Sequence, residues 1–213
     1  LGSDFNLYDI VSDHSKKLKI NNPIISNEDL DKIKFIKNNN FKSATISALY
    51  NLQRGHNGIE EALDKMVIEV SKKVDEGCNI IIISDRGVAK ELGSVPILLA
   101  CSNIHHCLMK LKKRSKFGIV IESSEPREPH HFSMLFGFGA SAINPYLVNE
   151  VIKFHHKKNF FGKQSLKISI ENFNKAIAKG ILKVMNKIGI STLHSYRGSQ
   201  IFEALGLRES FTE

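Results

Sequence analysis

Residues 118–145 hold the pattern that most restricts how this chain can fold. Residues 118–121 and 140–143 are two short apolar runs, separated by a polar loop, a double histidine and an apolar helical stretch. The first run is rich in β-branched residues, which suits a strand buried on both faces of a parallel sheet. A strand, a loop, a helix and another strand within about thirty residues form a βαβ unit, and the strands of such a unit are parallel.

Polar residues stand where these two strands end. Glu122 follows the first strand and Asn144 follows the second, while the connecting loop carries Arg127 and leads into His130 and His131. Because the carboxyl ends of parallel strands meet at one edge of the sheet, we expect these residues to gather there. That edge is where barrels and open parallel sheets bind their ligands.

The same alternation of strands and helices extends along the whole chain. Further strands are predicted at residues 44–49, 79–83 and 191–193. Helices are predicted at 26–38, 58–77, from residue 97 onward, at 145–154, over a long segment that ends before residue 189, and at 200–205. Five strands separated by amphipathic helices predict an α/β fold of parallel β/α units, an incomplete relative of the TIM barrel. We expect a single domain over residues 1–213, with 1–40 as an irregular, partly helical lead-in.

Two more pairs of polar residues follow predicted strands. Asp85 and Arg86 come after strand 79–83, and Tyr196 and Arg197 come after strand 191–193. They fit ligand contacts at the strand ends, or, for the first pair, an aspartate that caps its own turn and pairs with the next arginine. The arginines of this edge, together with its glutamate, predict at least one bidentate pair that holds loops in place.

Adjacent histidines at a helix start have two interpretations. His130 and His131 could act locally in chemistry at the edge, or they could be structural, with one ring in a buried hydrogen bond and the other at the edge. The structural interpretation is favoured, because neighbouring helical residues point about a hundred degrees apart.

The charge of the chain argues against nucleic acid as a partner. The formal net charge is +8, but the lysines are scattered at predicted helix ends, where cations stabilise the helix dipole. Aromatic residues are not interleaved with them as a nucleic-acid-binding sheet requires.

Cysteine content and hydropathy indicate an intracellular chain. Cys78, Cys101 and Cys107 form neither a CxxC pair nor a zinc-spaced cluster. We expect reduced, buried thiols in the cytoplasm, with an organelle left open. No apolar run approaches the roughly twenty residues that span a bilayer, so no membrane partner is expected.

Five segments, taken together, resemble the central region of the glutamate synthase large chain. They are NNPIISNEDLDKIK (21–34), IIISDRG (81–87), PILLACSNIHHCL (96–108), VIESSEPREPHHFSMLFGFGASAINPYL (120–147) and KAIAKGILKVMNKIGISTLHSYRGSQIFEALGL (175–207). The most specific parts are HHF at 130–132, GASAINPY at 139–146 and the 189–204 segment. Two places depart from the family pattern: the basic, phenylalanine-containing stretch 155–167, and Asn186, where the family has a serine.

The resemblance implies a place within a larger enzyme. Glutamate synthase joins a glutaminase domain with an N-terminal cysteine nucleophile, this central region, an FMN barrel with an iron–sulfur cluster, and a β-helical domain. Ammonia passes from the first of these to the third. The nucleophile, the FMN site and the cluster cysteines all lie outside the matched region, so no catalytic residue and no cofactor is expected in this chain.

Two functions from different classes follow. The first is a non-catalytic central module that connects the glutaminase and FMN domains of the same polypeptide and supports ammonia channelling. The second is a self-sufficient barrel enzyme that binds FMN or another phosphate ligand through its strand-end residues. The first is favoured, because the chain shows no glycine-rich phosphate loop. Open sheet edges in an incomplete barrel also predict self-association.

Overall fold

A computed structural model describes residues 1–4, 17–36, 38, 40–202 and 206. Its strands are β1 Ser43–Ser47, β2 Leu49–Asn51, β3 Ile80–Ser84, β4 Leu92–Ser94, β5 Gly118–Glu122 and β6 Ala140–Asn144. Its α-helices are α1 Asn27–Lys34, α2 Gly55–Asp75, α3 Ile97–Lys110, α4 Pro129–Gly137, α5 Tyr146–Lys157, α6 Leu166–Ile188 and α7 Leu193–Tyr196.

The central sheet contains four strands in the order β1-β3-β5-β6, and every pair is parallel. The predicted α/β fold of parallel β/α units is therefore confirmed. Within the described residues the sheet stays open and does not close into a barrel, which agrees with the prediction of an incomplete one. Every residue of β3, β5 and β6 is buried, as expected of strands covered on both faces.

One face of the sheet, which we call the helix face, packs against α2, α3 and α4, and α6 packs on the outside of α4. Alternate strand residues such as Ile81, Ile83 and Ile121 meet apolar stripes of these helices there. Burying one such isoleucine side chain contributes roughly 1.5–3 kcal/mol relative to leaving it in water. This core fixes the register of the sheet, because a shift by one residue would send each of these side chains to the opposite face.

The opposite face is covered by the lead-in segment and α1. Leu30 and Ile33 of α1 pack against Ile80, Ile82 and Val120. Residues 23–25 run beside β6. The backbone N–H of Ile143 donates to the carbonyl of Pro23 at 2.8 Å, and the carbonyl of Ile143 accepts from the backbone N–H of Ile25 at 2.9 Å. The lead-in therefore covers both this face and the free edge of β6.

Two features differ from the sequence prediction. The predicted fifth strand at 191–193 is wrong: Thr192 caps helix α7, its Oγ1 accepting from the amide of Ser195 at 3.3 Å. A hydroxyl cap favours a helix start over a strand. An antiparallel pair, β2 with β4, was not predicted, because three-residue strands show too little alternation.

The predicted helix over 200–205 falls partly outside the described residues, and residues 200–202 are not helical. In the described part of the chain, no helix is long and apolar enough to cross a membrane.

Candidate functional site

The four parallel strands end in one row of polar residues. In the register of the sheet, Ser47 pairs with Ser84, Ser84 with Glu122, and Glu122 with Asn144. Glu122 is 1% exposed and Asn144 is 0% exposed. We call this row, with the loops that follow it, the carboxyl edge. Buried polar groups need hydrogen-bond partners. The partners found at this edge therefore show whether its side chains are engaged within the chain or open to a ligand.

Glu122 joins two cations from distant parts of the chain. Lys34 Nζ, at the end of α1, donates to both carboxylate oxygens at 3.0 and 2.8 Å, and Arg86 Nε donates to Oε1 at 2.5 Å. Burial would raise the pKa of Glu122, but hydrogen bonds from Lys34, Ser84 and Arg86 outweigh it and lower the pKa from 4.5. An arginine–carboxylate pair is present, but the predicted bidentate geometry is wrong for it: Arg86 donates to a single oxygen of Glu122, and Lys34 donates to both.

Asp85 holds the loop that follows β5. Its side chain is fully buried and accepts from Ser123 Oγ at 2.6 Å, from the Ser124 amide at 2.9 Å and from Ser124 Oγ at 3.2 Å. Burial and a hydrogen bond to Asp85 raise the pKa of Tyr146 to about 12. Asp85 therefore ties β3 to the next loop. The turn after β3 is capped instead by Ser84, whose Oγ accepts from the amide of residue 86 at 3.2 Å.

Arg86 and Glu125 fix two further elements at this edge. The guanidinium of Arg86 lies 4.0 Å above the Tyr146 ring at the start of α5, a cation–π contact. Glu125 Oε1 accepts from the amide of Ile97 at 3.1 Å, at the first residue of α3, where a carboxylate interacts favourably with the helix dipole. Burial raises the pKa of Glu125 despite this bond.

Three asparagines meet beside the end of β6. Asn144 Nδ2 donates to the carbonyl of Ile25 at 3.0 Å and to Asn27 Oδ1 at 2.9 Å, and Asn149 Nδ2 donates to the same Asn27 oxygen at 3.2 Å. The Oδ1 atoms of Asn144 and Asn149 are buried, and neither has a hydrogen-bond partner in the described part of the chain. This cluster fastens the lead-in and α5 to the sheet.

Arg127, His130 and His131 do not join this network. All three side chains are exposed, and no ion pair of Arg127 occurs among the described residues. The backbone amide of Arg127 donates to His131 Nδ1 at 3.2 Å, while the His130 ring meets Phe202 edge-on at 5.8 Å. Both histidines therefore lie on the outside of α4, so the expected buried hydrogen bond is not formed.

Tyr196 and Arg197 lie away from the carboxyl edge. Tyr196 is fully buried, and its hydroxyl donates to the carbonyl of Ser133 at 3.1 Å. Arg197 Nη1 donates to Ser141 Oγ at 2.6 Å, near the amino end of β6, beside a cavity of about 270 Å³. These two residues were expected at the carboxyl edge because 191–193 was taken as a strand, and the structure replaces that strand with a helix.

The family model described as glutamate synthase central domain matches residues 1–208. The chain belongs to the glutamate synthase central domain family. The resemblance inferred from the five sequence segments is confirmed.

Curated relatives of this central domain are much longer proteins. The chain is 36% identical to the glutamate synthase [NADPH] large chain of Bacillus subtilis, over 97% of this chain and 13% of that protein. It is 37% identical to glutamate synthase [NADH] of Schizosaccharomyces pombe, over 97% of this chain and 10% of that one. It is 30% identical to ferredoxin-dependent glutamate synthase 2 of Synechocystis, over 100% and 14%. The chain thus spans about a tenth to a seventh of the relatives' length.

Among solved structures, a flavocytochrome b2 mutant with benzoylformate aligns with a TM-score of 0.47 and 11% identity. The alignment covers 68% of this chain and 37% of that one. The fold assigned to this central domain rests on its own strand pairing.

Sequence reasoning missed several residues that build the edge of this central domain. Lys34 reads as an ordinary basic residue in the last turn of a helix, and Tyr146 as part of a helix start after Pro145. Asn27 reads as a helix cap. Their contacts with the edge come from packing of distant segments, and only the NPY run at 144–146 gave a local signal. Among the described residues, no group of histidine, cysteine, aspartate and glutamate could hold a metal ion.

Proposed function

We propose that this chain is the central, non-catalytic module of a glutamate synthase, which converts L-glutamine, 2-oxoglutarate and reductant into two L-glutamate. In this proposal the module connects the glutaminase and FMN synthase domains of the same polypeptide and supports the passage of ammonia between them. The FMN and the iron–sulfur cluster are held by other parts of that polypeptide. Family membership and the glutamate synthase names of the long relatives support this assignment.

The observation that carries the proposal is that the carboxylates of the carboxyl edge are engaged by other groups of the same chain. Barrel enzymes keep catalytic groups at this edge, directed at a substrate. Here the Glu122 carboxylate is occupied by Lys34 and Arg86, and the Asp85 carboxylate by two serines of the following loop. Groups engaged in this way position α1, β3, β5 and the loop after β5. A scaffold needs such positioning to hold neighbouring domains in a fixed arrangement.

The residues of the edge do not fit a flavin phosphate. A phosphate requires backbone amides at a helix start together with a cation that is not already neutralised. Lys34 and Arg86, the two cations that lie against the ends of the strands, share the Glu122 carboxylate, and Arg127 stands exposed on the loop after β5. The starts of α3 and α5 follow Pro96 and Pro145, and the first amide of α3 is already bound by Glu125.

The proposal is tested in the full-length polypeptide by the coupling between its two reactions. Glu122→Gln should loosen the edge and release ammonia, so that less glutamate forms per glutamine hydrolysed. The rate of glutamate formation from added ammonia should stay at the level of the unsubstituted polypeptide, because the synthase site itself is unchanged. Glu61→Gln, which removes a carboxylate that is 56% exposed on α2, is the matched control.

Two outcomes would contradict the proposed function. One is full coupling in Glu122→Gln together with a measured loss of stability of this domain. The other is glutaminase activity, or bound flavin, in the purified chain alone.

The three unpaired cysteines fit the reducing intracellular compartment that we assign to the enzyme.

A further inference from the structure

Helix α5 packs against the rest of the domain on one side and carries an exposed apolar stripe on the opposite side. Its inner side carries buried Asn149 and partly buried Ile152 and packs toward α6. Its outer side carries Leu147, Val151 and Phe154, which are 40%, 46% and 53% exposed. Their spacing of i, i+4 and i+7 places them in one stripe. An apolar stripe on the side of a helix that faces away from its own domain is typical of a helix that is covered on both sides.

The apolar surface continues onto the turn between α5 and α6. Phe160 is 74% exposed. Its ring lies 5.3 Å from the His155 ring, and that ring lies 5.6 Å from the ring of Phe154. We call Leu147, Val151, Phe154 and Phe160 the outer patch. Scattered exposed apolar residues are normal, but a continuous patch with two exposed phenylalanines is typical of an interface.

The charges around the outer patch are mainly basic. Lysines stand along α5 and in the following turn, and the α5 segment contributes one acid, Glu150, which pairs with Lys153 at 3.9 Å. Lys158 Nζ lies 4.4 Å from the centre of the Phe154 ring, so one cation sits directly on the patch. The lysines of α5 and of the following turn are Lys153, Lys157, Lys158 and Lys163. A complementary surface has an apolar centre and an acidic rim.

We propose that the outer patch is an interface inside the full polypeptide, covered by an apolar surface with an acidic rim on another domain of the same chain. This rests on the proposed function, because a connecting module must contact the domains that it connects. The relatives are seven to ten times longer than the matched region, so most of such a polypeptide is available to cover the patch. A tethered domain is also present at a high effective concentration, which favours it over a separate protein.

Hydroxyl-radical footprinting of the full-length polypeptide tests the proposal. The oxidation rates of Phe154 and Phe160 are measured in the native polypeptide and in the same polypeptide under denaturant, with fully buried Phe132 as the standard for a covered ring. If the patch is covered, the oxidation rates of both rings should be about tenfold or more lower in the native than in the denatured polypeptide, and close to the rate of Phe132.

A matched pair of variants separates the patch from the rest of the surface. Val151→Asp places a carboxylate in the stripe and should restore fast oxidation of Phe154 and Phe160. Leu182→Asp, at a side chain that is 60% exposed on α6, should leave both rings slow. Phe132 must stay slow in both variants, which shows that the domain is still folded.

Three results would overturn the inference. The first is oxidation of Phe160 in the native polypeptide within about twofold of the denatured rate. The second is protection that disappears on dilution, which identifies a second copy of the chain as the occupant. The third is protection that arises only with phosphatidylserine vesicles, which identifies a membrane. Bound flavin in this chain would defeat the proposed function but would not change the footprint, so the two failures are distinguishable.

Discussion

Replacing Glu122 by glutamine removes the one negative charge between Lys34 and Arg86. The substitution keeps the size of the side chain and leaves the sheet packing intact. The Glu122 side chain is 2% exposed, whereas those of Lys34 and Arg86 are 21% and 45% exposed. The variant therefore leaves two cations facing a neutral amide at a buried position.

The expected cost follows from these contacts. Removing one member of a buried ion pair costs about 3–5 kcal/mol, and a hydrogen bond to a charged group contributes about 1.5–3 kcal/mol. Both cations can partly turn toward water, which places the loss near the lower limit, about 3 kcal/mol. For a protein of this size, that loss lowers Tm by about 6–12 °C.

The assay is chemical denaturation at pH 7, with Glu150→Gln as the matched control. Glu150 is 51% exposed and pairs with Lys153 at 3.9 Å, so its loss should cost under about 0.5 kcal/mol. A double-mutant cycle with Lys34→Met should give a coupling of about 1–2 kcal/mol. If Glu122→Gln costs less than about 1 kcal/mol, or no more than the control, the carboxylate is screened by water and the reasoning fails.

Three further predictions concern other parts of the chain. Burial, and then the charge of the arginine that donates to its ring, lower the pKa of His105 from 6.5 to about 4. The contribution of neutral His105 to the free energy of unfolding is therefore complete above pH 6.5 and is lost as the pH falls toward 4. The loss at pH 5 should be about 1 kcal/mol, after allowing for solvent screening of this partly exposed ring. A His105→Gln variant should show a flatter dependence of the free energy of unfolding on pH. Gly139→Ala places a Cβ against the His105 ring at a φ of +103° and should lower the free energy of unfolding by more than about 2 kcal/mol. Gly77→Ala, with a φ of +87° and open space around it, should lower it by about 1 kcal/mol. Equal losses would refute the steric argument. Asp85→Asn should speed protease cleavage in loop 123–129, and Arg127→Ala should not, because the loop is held by the buried carboxylate; the opposite order would contradict that assignment.

The sheet could be predicted because its signal is local. Four consecutive isoleucines at 80–83 are typical of a strand buried on both faces, and residues 118–121 repeat the pattern. Polar residues directly after such runs had to share one edge, and Asp85, Glu122 and Asn144 do so. These predictions needed only the alternation of strands and helices along the chain.

The partners at the edge could not be predicted, because they are distant in sequence. Lys34 reaches Glu122 across 88 positions, and Asn27 meets Asn144 across 117 positions. Arg197 was misplaced for a different reason: a short run at 191–193 fits a strand by composition, while the hydroxyl of Thr192 starts a helix. Local patterns locate polar groups on elements, but packing decides which of them meet.

Flavin titration of the purified chain tests the central claim most directly. A non-catalytic module in which Lys34 and Arg86 are both held by Glu122 should leave the fluorescence of FMN unchanged up to about 100 µM. The full-length polypeptide, which in the proposed function carries the FMN domain, serves as the positive control. Quenching of FMN fluorescence by the chain alone, saturating at a dissociation constant in the micromolar range, would contradict the account.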